Sequence, residues 1–171
     1  AIVCARETVG NGHEFPKTIV PGEELPEMDL FLCIGQSNMA GRGTLDETKD
    51  DLEPLEGVYL LDKDGNMVPA TNPMNQHSSV RKEISMQQMS PAYSFAKKIA
   101  AETGHAVGLV VNARGGTAIE SWDPDEGNGD TLYSAAVRRA KQAMQYGKFK
   151  AVIWHQGEAN NSTSEKVEKY P

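Results

Sequence analysis

The chain has 171 residues, which is enough for one domain with a substantial core and short for two. It carries 24 acidic and 17 basic residues, and the formal net charge of -7 argues against nucleic acid or an anionic membrane surface as a partner. No apolar run approaches the roughly 20 residues that a membrane-spanning helix needs. Cys4 and Cys33 indicate neither a disulfide nor a metal site, and we expect no cofactor.

The first half of the chain predicts two strands and a long loop. Residues 1–27 contain three prolines and little periodicity, which predicts an extended lead-in to a domain over residues 28–171. An apolar run that begins at Leu30 and stops at Gly35 predicts a buried strand, with Met28-Asp29 at its start and Ser37 at its carboxyl end. Gly57 to Leu61 predicts a second short strand, followed by a hairpin turn at 63–66. Residues 69–90 are polar and aperiodic, which is typical of a long functional loop.

In the second half, two predicted helices alternate with two predicted strands. The first helix begins after residue 90 and ends at Gly104. The second begins after Asp130 or Thr131, ends at Gly147 and turns residues as far as Met144 toward the core. Apolar runs at 106–112 and 151–155 predict the strands. This alternation predicts an α/β fold whose mostly parallel sheet is covered on both faces.

Three of the predicted strands end in clusters of small and polar residues, which read GQSN, ARGGT and HQGE. Parallel strands bring their carboxyl ends to one edge of a sheet, so we expect these clusters to converge there. The chemistry that such a set supports is acyl transfer, with Ser37 as nucleophile. The backbone N–H groups of Ser37 and Gly116 and the side-chain amide of Gln156 would form the oxyanion hole.

Each cluster also has a structural interpretation. A serine after a strand-ending glycine is commonly a helix cap, and Gly115-Gly116 alone is commonly a turn. Gln156-Gly157-Glu158 could be an ordinary polar loop. The occurrence of all three clusters at strand ends favours the catalytic interpretation.

The segments GQSNMAGRG, NARGGTAIESW and WHQGEAN also resemble a known family. They are similar in order and spacing to the carbohydrate esterase and sialic-acid-specific acetylesterase group (carbohydrate esterase family six) of the SGNH-hydrolase superfamily. The resemblance covers about residues 28–171. It implies a three-layer α/β/α flavodoxin-like fold and the removal of O-acetyl groups from a sugar such as acetylated xylan or sialic acid.

The resemblance also implies roles for individual residues. Ser37 would be the nucleophile, and Gly116 and Gln156 would complete the oxyanion hole. Gln156 stands where many superfamily relatives carry asparagine, a departure that this esterase group shares. Supporting positions around them are Gln36, Asn38, Gly115 and Glu158, and possible substrate-wall positions are Arg114 and Trp122.

The general base is missing from this pattern. In the superfamily a histidine from a C-terminal Asp-x-x-His motif activates the serine, and no aspartate of this chain has a histidine three positions later. His155 and His77 are the weaker alternatives. We therefore expect this chain to be the N-terminal portion of a longer enzyme, lacking a final strand and the catalytic His and Asp, and to be inactive alone.

Two rival functions stay open. The scaffold could be a non-catalytic carbohydrate-binding or structural module that lacks the base, or it could carry another serine acyl-transfer activity such as that of a lipase or thioesterase. The few aromatic residues and the polar loop offer no evident groove for an acyl chain. Acetylated glycans lie outside the cytoplasm, so the resemblance favours a secreted or periplasmic protein processed by removal of a signal peptide.

Overall fold

The computed structural model describes residues 6–9, 13–22, 27–46, 48–124 and 131–170, with side chains described from residue 17 onward except at position 50. Its strands are β1 (Arg6–Val9), β2 (His13–Pro16), β3 (Met28–Gly35), β4 (Val58–Leu61), β5 (Met67–Pro69), β6 (Val107–Val111) and β7 (Gly147–His155). A five-stranded sheet has the order β5-β4-β6-β3-β7. Only β5 runs antiparallel to its neighbour, so the prediction of a mostly parallel sheet is confirmed.

The helices lie on both sides of this sheet. They are α1 (Ser37–Ala40), α2 (Pro91–Thr103), α3 (Leu132–Ala143) and α4 (Ser164–Val167), with 3-10 turns at Asp50–Leu52, Ile84–Met86, Ile119–Trp122 and Glu158–Asn160. No helix in the described part of the chain has the length and apolar character needed to cross a membrane.

Two hydrophobic clusters make the three-layer arrangement. On one face, α1 and α2 bury Met39, Ala92 and Ala96 against alternate residues of the sheet. On the other face, α3 contributes Ala143 to a cluster with Leu30 and the remaining alternate residues. The strands read as continuous apolar runs because both faces of the sheet are covered.

Gly35 permits the close approach of β3 and β7 where these two strands end. Its φ is +138°, and a Cβ at this position would lie 2.0 Å from the carbonyl oxygen of His155. No side chain fits there without moving a backbone. The chain therefore turns sharply at Gly35, and the backbone N–H of Gln36 donates to the His155 carbonyl oxygen at 2.9 Å.

The end of α3 differs from the sequence prediction. Gly147 does not end this helix, which stops at Ala143; Gly147 is the first residue of β7. A Cβ there would lie 2.0 Å from the Met28 carbonyl oxygen, so the glycine serves strand pairing. Met144 was also wrongly predicted to face the core and is 62% exposed, whereas Arg139 is buried.

The long loop is held down by buried amides. Asn75 is fully buried, and its side chain accepts from the backbone N–H of Ala113 and donates to the Ala113 carbonyl oxygen, both at 3.0 Å. Its Nδ2 also donates to Gln87 Oε1 at 2.8 Å. Residues 75–87 are thereby fixed beside the carboxyl end of β6.

The hairpin of β1 and β2 precedes the sheet. No sequence pattern predicted these two strands. Farther along, the backbone N–H of Ile19 donates to the Met67 carbonyl oxygen at 2.7 Å and its carbonyl oxygen accepts from Met67 N–H at 2.9 Å, and the Ile19 side chain is buried. Cys4 lies outside the described residues, while Cys33 is a buried free thiol whose pKa burial raises to about 12.

Candidate active site

Ser37 lies at the start of α1, directly after the turn that ends β3. Its neighbour Gln36 is buried, whereas Ser37 is partly exposed at the edge of the sheet. The chain is held by hydrogen bonds from Ala40 N to the Gln36 carbonyl oxygen and from Gly41 N to the Ser37 carbonyl oxygen. The N–H of Ser37 has no backbone acceptor among the described residues. The serine hydroxyl and N–H therefore sit side by side at a surface that a ligand can reach.

The loop after β6 packs directly on this serine. A Cβ at Gly115 would lie 3.5 Å from Ser37 Cβ and 2.6 Å from Arg42 Nη2, so a glycine keeps the loop close. Gly116 has a φ of +77°, and its N–H likewise has no backbone acceptor in the described chain. Lys82 Nζ would lie 3.4 Å from a Cβ at Gly116, so the long loop brings a positive charge to this turn.

Gln156 joins the ends of three strands. Its Nε2 lies 3.2 Å from Gln36 Oε1 after β3, and 3.0 Å from the Thr117 carbonyl oxygen after β6. It also lies 2.9 Å from Asn160 Oδ1, while Gln156 Oε1 accepts from the hydroxyl of Tyr170. Three acceptors share the two hydrogens of Nε2, so an oxyanion would have to displace one of them.

Gln36 holds the turn that follows β7 through hydrogen bonds to its side-chain oxygen. Its Oε1 accepts from the backbone N–H of Ala159 at 3.2 Å and lies 3.4 Å from that of Gly157. The side chain is only 3% exposed. A buried amide with several partners fixes a local conformation, because each broken hydrogen bond leaves an uncompensated polar group.

Asn38 and Glu158 form a second link between the ends of β3 and β7. Asn38 Nδ2 donates to Glu158 Oε1, and the same carboxylate oxygen lies 3.5 Å from His155 Nε2. Both Asn38 and Glu158 are exposed, so this contact is accessible to solvent. Glu158 therefore bridges the serine turn and His155.

Arg114 and Trp122 flank the Gly115-Gly116 turn in the chain and are held by different contacts. Arg114 donates through its backbone N–H to the Gly35 carbonyl oxygen at 3.0 Å and through Nη1 to the Val80 carbonyl oxygen at 2.8 Å. Trp122 is 6% exposed, packs edge-on against Trp154 at 5.1 Å between ring centroids and donates to Thr117. It also lines a cavity of about 520 Å³.

Three residues at this edge were not singled out from the sequence. Thr117 supplies its carbonyl oxygen to Gln156, Asn160 is buried between Gln156 and the Ile119 N–H, and Tyr170 contacts Gln156 from the last turn of the described chain. Asn160 lies inside the WHQGEAN segment, so its motif was a usable signal. Thr117 likewise lies inside the NARGGTAIESW segment, whereas Tyr170 carries no local signal, since only the fold brings it to Gln156.

An exposed ion pair adjoins this cluster. Lys169 forms an ion pair with Glu120, which also accepts from Asn160 Nδ2 at 3.1 Å. The hydrogen bond from Lys169, helped by those from backbone and from Asn160, lowers the pKa of Glu120 to about 2. Glu120 therefore stays ionised, and the pKa of Lys169 is raised in turn by its hydrogen bond to Glu120.

None of the histidine side chains in the described part of the chain makes a hydrogen bond to Ser37. His105 Nδ1 lies 2.9 Å from Asp29 Oδ2 at the opposite edge of the sheet, and His155 lies next to Glu158. His77 is half-buried beside Arg139, and burial lowers its pKa; Asp62 opposes this effect and the nearby cations add to it. Nor do the described residues include a group of three or more His, Cys, Asp or Glu side chains placed to hold a metal ion.

The arrangement presents a serine hydroxyl, two backbone N–H groups and an amide at one strand edge. A helix start with unpaired N–H groups favours a negative charge nearby, although α1 is only four residues long. These are the groups that a tetrahedral oxyanion needs.

Comparisons with known proteins give relatives that are described as carbohydrate esterases. The chain is 31% identical over 176 residues to a probable carbohydrate esterase of Arabidopsis thaliana (At4g34215), covering 90% of this chain and 65% of that protein. A crystal structure of the same Arabidopsis protein matches with a TM-score of 0.71 at 28% identity, over 85% of this chain and 63% of that one. The chain thus spans a little under two thirds of this relative.

Two further solved structures share the fold. NanS matches with a TM-score of 0.58 at 22% identity, over 86% of this chain and 57% of its own. XAC1771, described as a novel carbohydrate acetylesterase from Xanthomonas citri, matches with a TM-score of 0.51 at 25% identity, over 77% of this chain and 33% of its own. The expected three-layer fold of the SGNH type is confirmed.

The family model described as carbohydrate esterase, sialic acid-specific acetylesterase matches residues 27–171. The segments that suggested this family, around Ser37, Gly116 and Gln156, all lie within the matched range. The chain belongs to the sialic acid-specific acetylesterase family of carbohydrate esterases.

Proposed function

We propose that the protein carrying this chain is a serine esterase that removes O-acetyl groups from a carbohydrate. The observation that carries the proposal is the position of Ser37 between the ends of β6 and β7, with Gly115 packed on its Cβ and Gln36 bonded to Gln156. Family membership and the relatives described as carbohydrate esterases support the same reaction.

In the proposed reaction, Ser37 Oγ attacks the acetyl carbonyl carbon and its proton passes to a general base. The carbonyl oxygen becomes an oxyanion, held by the N–H groups of Ser37 and Gly116 and by the Gln156 amide. The C–O bond to the sugar then breaks, and the sugar oxygen takes the proton from the base. Water hydrolyses the acetyl-serine in the same way and releases acetate.

The described histidines make no hydrogen bond to Ser37, so in this proposal the base comes from outside the described residues of this chain. Arg114 and Trp122 would form part of the substrate wall, and the sugar would be one such as acetylated xylan or an acetylated sialic acid. The organisation into a lead-in over residues 1–27 and an esterase domain from residue 28 belongs to the same proposal, as does secretion.

The test is Ser37→Ala in the full-length protein that carries this chain, with release of acetate from 4-nitrophenyl acetate and from acetylated xylan as the readouts. We expect kcat to fall by about 10⁴-fold or more, as in other enzymes that lose a serine nucleophile. Ser121→Ala is the matched control, because this serine lies in the nearby 3-10 turn. Turnover by Ser37→Ala near the wild-type rate would remove Ser37 as nucleophile.

A non-catalytic carbohydrate-binding module is the second candidate. It is favoured by the engagement of both Gln156 Nε2 hydrogens within the protein. Under this alternative the wild-type full-length protein binds acetylated oligosaccharide but releases no acetate. The same acetate assay on the wild-type protein therefore separates the two candidates.

A further inference from the structure

A groove runs from the candidate active site along α3. It consists of two adjoining cavities of about 420 and 260 Å³, which share Ser79, Ala135 and Arg138 in their walls. One wall is α3 and the other is the part of the long loop that follows residue 76. We call this surface the α3 groove.

The α3 groove begins beside the serine turn and leads away from it. Arg114 lines the first cavity and immediately precedes Gly115, the residue packed on Ser37. From there the wall follows one face of α3 from Leu132 to Gln142. The ten steps of helical rise from Leu132 to Gln142 correspond to about 15 Å, which is longer than a single sugar ring.

The walls of this groove are basic. The described residues that line its two cavities include no Asp or Glu, although the whole chain has more acidic than basic residues. The basic side chains in the walls are Lys63, Arg114, Arg138 and Arg139, with His77 beside them. Like charges gathered in a cleft create a local potential that favours an anion, whatever the net charge.

The carboxylate of Asp62, which precedes the wall residue Lys63, is already engaged. Asp62 Oδ1 accepts from the backbone N–H groups of Asp64 and Asn66, both at 2.8 Å, and Oδ2 lies 3.3 Å from Asn66 Nδ2. This carboxylate is therefore held by the hairpin turn between β4 and β5, where it offsets only part of the positive charge.

Arg139 brings a buried charge to the groove. It is 5% exposed, and its guanidinium donates to the carbonyl oxygens of Leu61 and Asp62, which are neutral acceptors. Its buried Nε has no hydrogen-bond partner in the described part of the structure. A buried guanidinium paired only with neutral oxygens is stabilised when an anion approaches.

We propose that the α3 groove binds a carboxylate-bearing sugar unit of an extended acidic glycan whose acetylated unit lies at Ser37. The inference rests on the proposed esterase function and adds that the substrate is a chain of sugars, recognised at a unit removed from the ester. Guanidinium groups suit this role because their N–H fork matches a carboxylate. Ser79 Oγ in the wall donates to Asn112 Oδ1 at 3.1 Å, which leaves its lone pairs to accept from a sugar hydroxyl.

The kinetic test compares Arg138→Gln with Lys141→Gln. Both variants remove one positive charge from α3, but Lys141 is exposed and lies outside the groove. The substrates are acetylated oligogalacturonate, which carries carboxylates, and acetylated xylo-oligosaccharide, which is neutral. We expect Arg138→Gln to lower kcat/KM for the acidic substrate, relative to kcat/KM for the neutral one, about tenfold. The cause would be a higher KM for the acidic substrate. Lys141→Gln leaves the ratio of the two kcat/KM values unchanged; an equal fall in both variants would overturn the proposal.

A binding measurement separates this proposal from the esterase proposal. The full-length Ser37→Ala variant is titrated calorimetrically with trigalacturonate that carries no acetyl group. We expect binding that weakens about tenfold when Arg138→Gln is added and that falls with rising ionic strength. Absence of trigalacturonate binding would overturn the proposal that the α3 groove binds a carboxylate-bearing sugar, even if acetate release shows that the protein is an esterase. Groove-dependent binding without acetate release by the wild type would overturn the esterase proposal alone.

Folding of the variants is checked by thermal unfolding. Arg138 and Lys141 are both exposed, so we expect the Arg138→Gln and Lys141→Gln variants to have the same melting temperature. If Arg138→Gln does shift it, Lys63→Gln replaces it, because Lys63 is exposed on the hairpin turn at the far end of the groove. Unchanged trigalacturonate binding by Lys63→Gln would then overturn the proposal.

Discussion

At the scale of the residue, the structural role of Gln156 and its proposed role as an oxyanion donor make opposite demands on one amide. As a structural link, Nε2 needs its acceptors on Gln36, Thr117 and Asn160. As an oxyanion donor, it needs one hydrogen directed at the substrate. The contact with Gln36 Oε1 is the longest of the three at 3.2 Å, and Gln36 keeps the backbone N–H of Ala159 as a partner. Gln36 is therefore the acceptor that an oxyanion displaces at least cost.

Gln156→Ala tests both roles. We expect kcat of the full-length protein to fall about 100- to 1,000-fold, as for other losses of an oxyanion donor. We also expect the free energy of unfolding to fall by about 1–3 kcal/mol, because partners in the interior lose a hydrogen bond. Acetate release and urea unfolding are the measurements.

Gln76→Ala is the control for this experiment. Gln76 Nε2 donates to the Thr71 carbonyl oxygen at 2.9 Å, so its loss removes a similar partly buried amide contact away from Ser37. We expect a comparable loss of stability with kcat retained. A Gln156→Ala protein that is destabilised to the same extent but keeps its kcat would leave Gln156 a structural residue only.

The distribution of these contacts explains which site residues could be predicted. Ser37, Gly116 and Gln156 follow apolar strands, and parallel strands bring such ends together, so their proximity followed from sequence pattern. Tyr170 reaches Gln156 only through the path of the last turns, which no local pattern encodes. The roles of the predicted residues in catalysis are still a proposal.

At the scale of the element, the sequence predicted which segments form buried strands and helices better than it predicted the residues at which they begin and end. β3 was predicted closely because an apolar run is a local feature of the sequence. The end of α2 was predicted for the same reason, since it is marked by Gly104, whose φ is +67°. The extension of β7 back to Gly147 depends on pairing with Met28 across the sheet. Pairing partners are distant in sequence, so the boundary was misplaced.

A titratable cluster ties three of these elements together at the amino edge of the sheet. Asp29 on β3 lies 2.9 Å from His105 Nδ1, just before β6, and 3.3 Å from Lys150 Nζ on β7. Partial burial opposes ionisation of Asp29, but hydrogen bonds from His105 and Lys150 outweigh it, and its pKa is lowered. An aspartate whose pKa is lower in the folded state stabilises the fold above the unfolded pKa of about 3.9.

Asp29→Asn is therefore expected to be destabilising at neutral pH, by about 0.5–1 kcal/mol because both partners are exposed. The difference in free energy of unfolding between the variant and wild type should shrink as the pH falls below about 4 and through the pKa of Asp29 in the folded state. At lower pH, Asp29 is protonated in both the folded and the unfolded state. Chemical unfolding across this pH range is the measurement. Asp64→Asn, on the exposed hairpin turn, is the control, and a pH-independent effect of Asp29→Asn would contradict the ion-pair explanation.

At the scale of the whole molecule, the two edges of the sheet differ. On one side the short antiparallel strand β5 ends the sheet, and it is joined to Ile19 by an isolated bridge. On the other side β7 has no strand beyond it among the described residues, although it is nine residues long. Val152 is 59% exposed and Trp154 39% exposed on this strand. A long apolar edge with unpaired backbone groups is a template for pairing with another strand.

We therefore expect the 171-residue chain, produced by itself, to self-associate through β7 as its concentration rises. Val152→Lys should reduce this association, because a charged side chain on an edge strand opposes pairing with a second copy. It should leave the free energy of unfolding within about 0.5 kcal/mol of wild type, since Val152 is mostly exposed. Sedimentation velocity over a concentration series is the measurement, with Val167→Lys, exposed on α4, as the control. Association that both substitutions reduce equally would assign the effect to added charge rather than to the edge of β7.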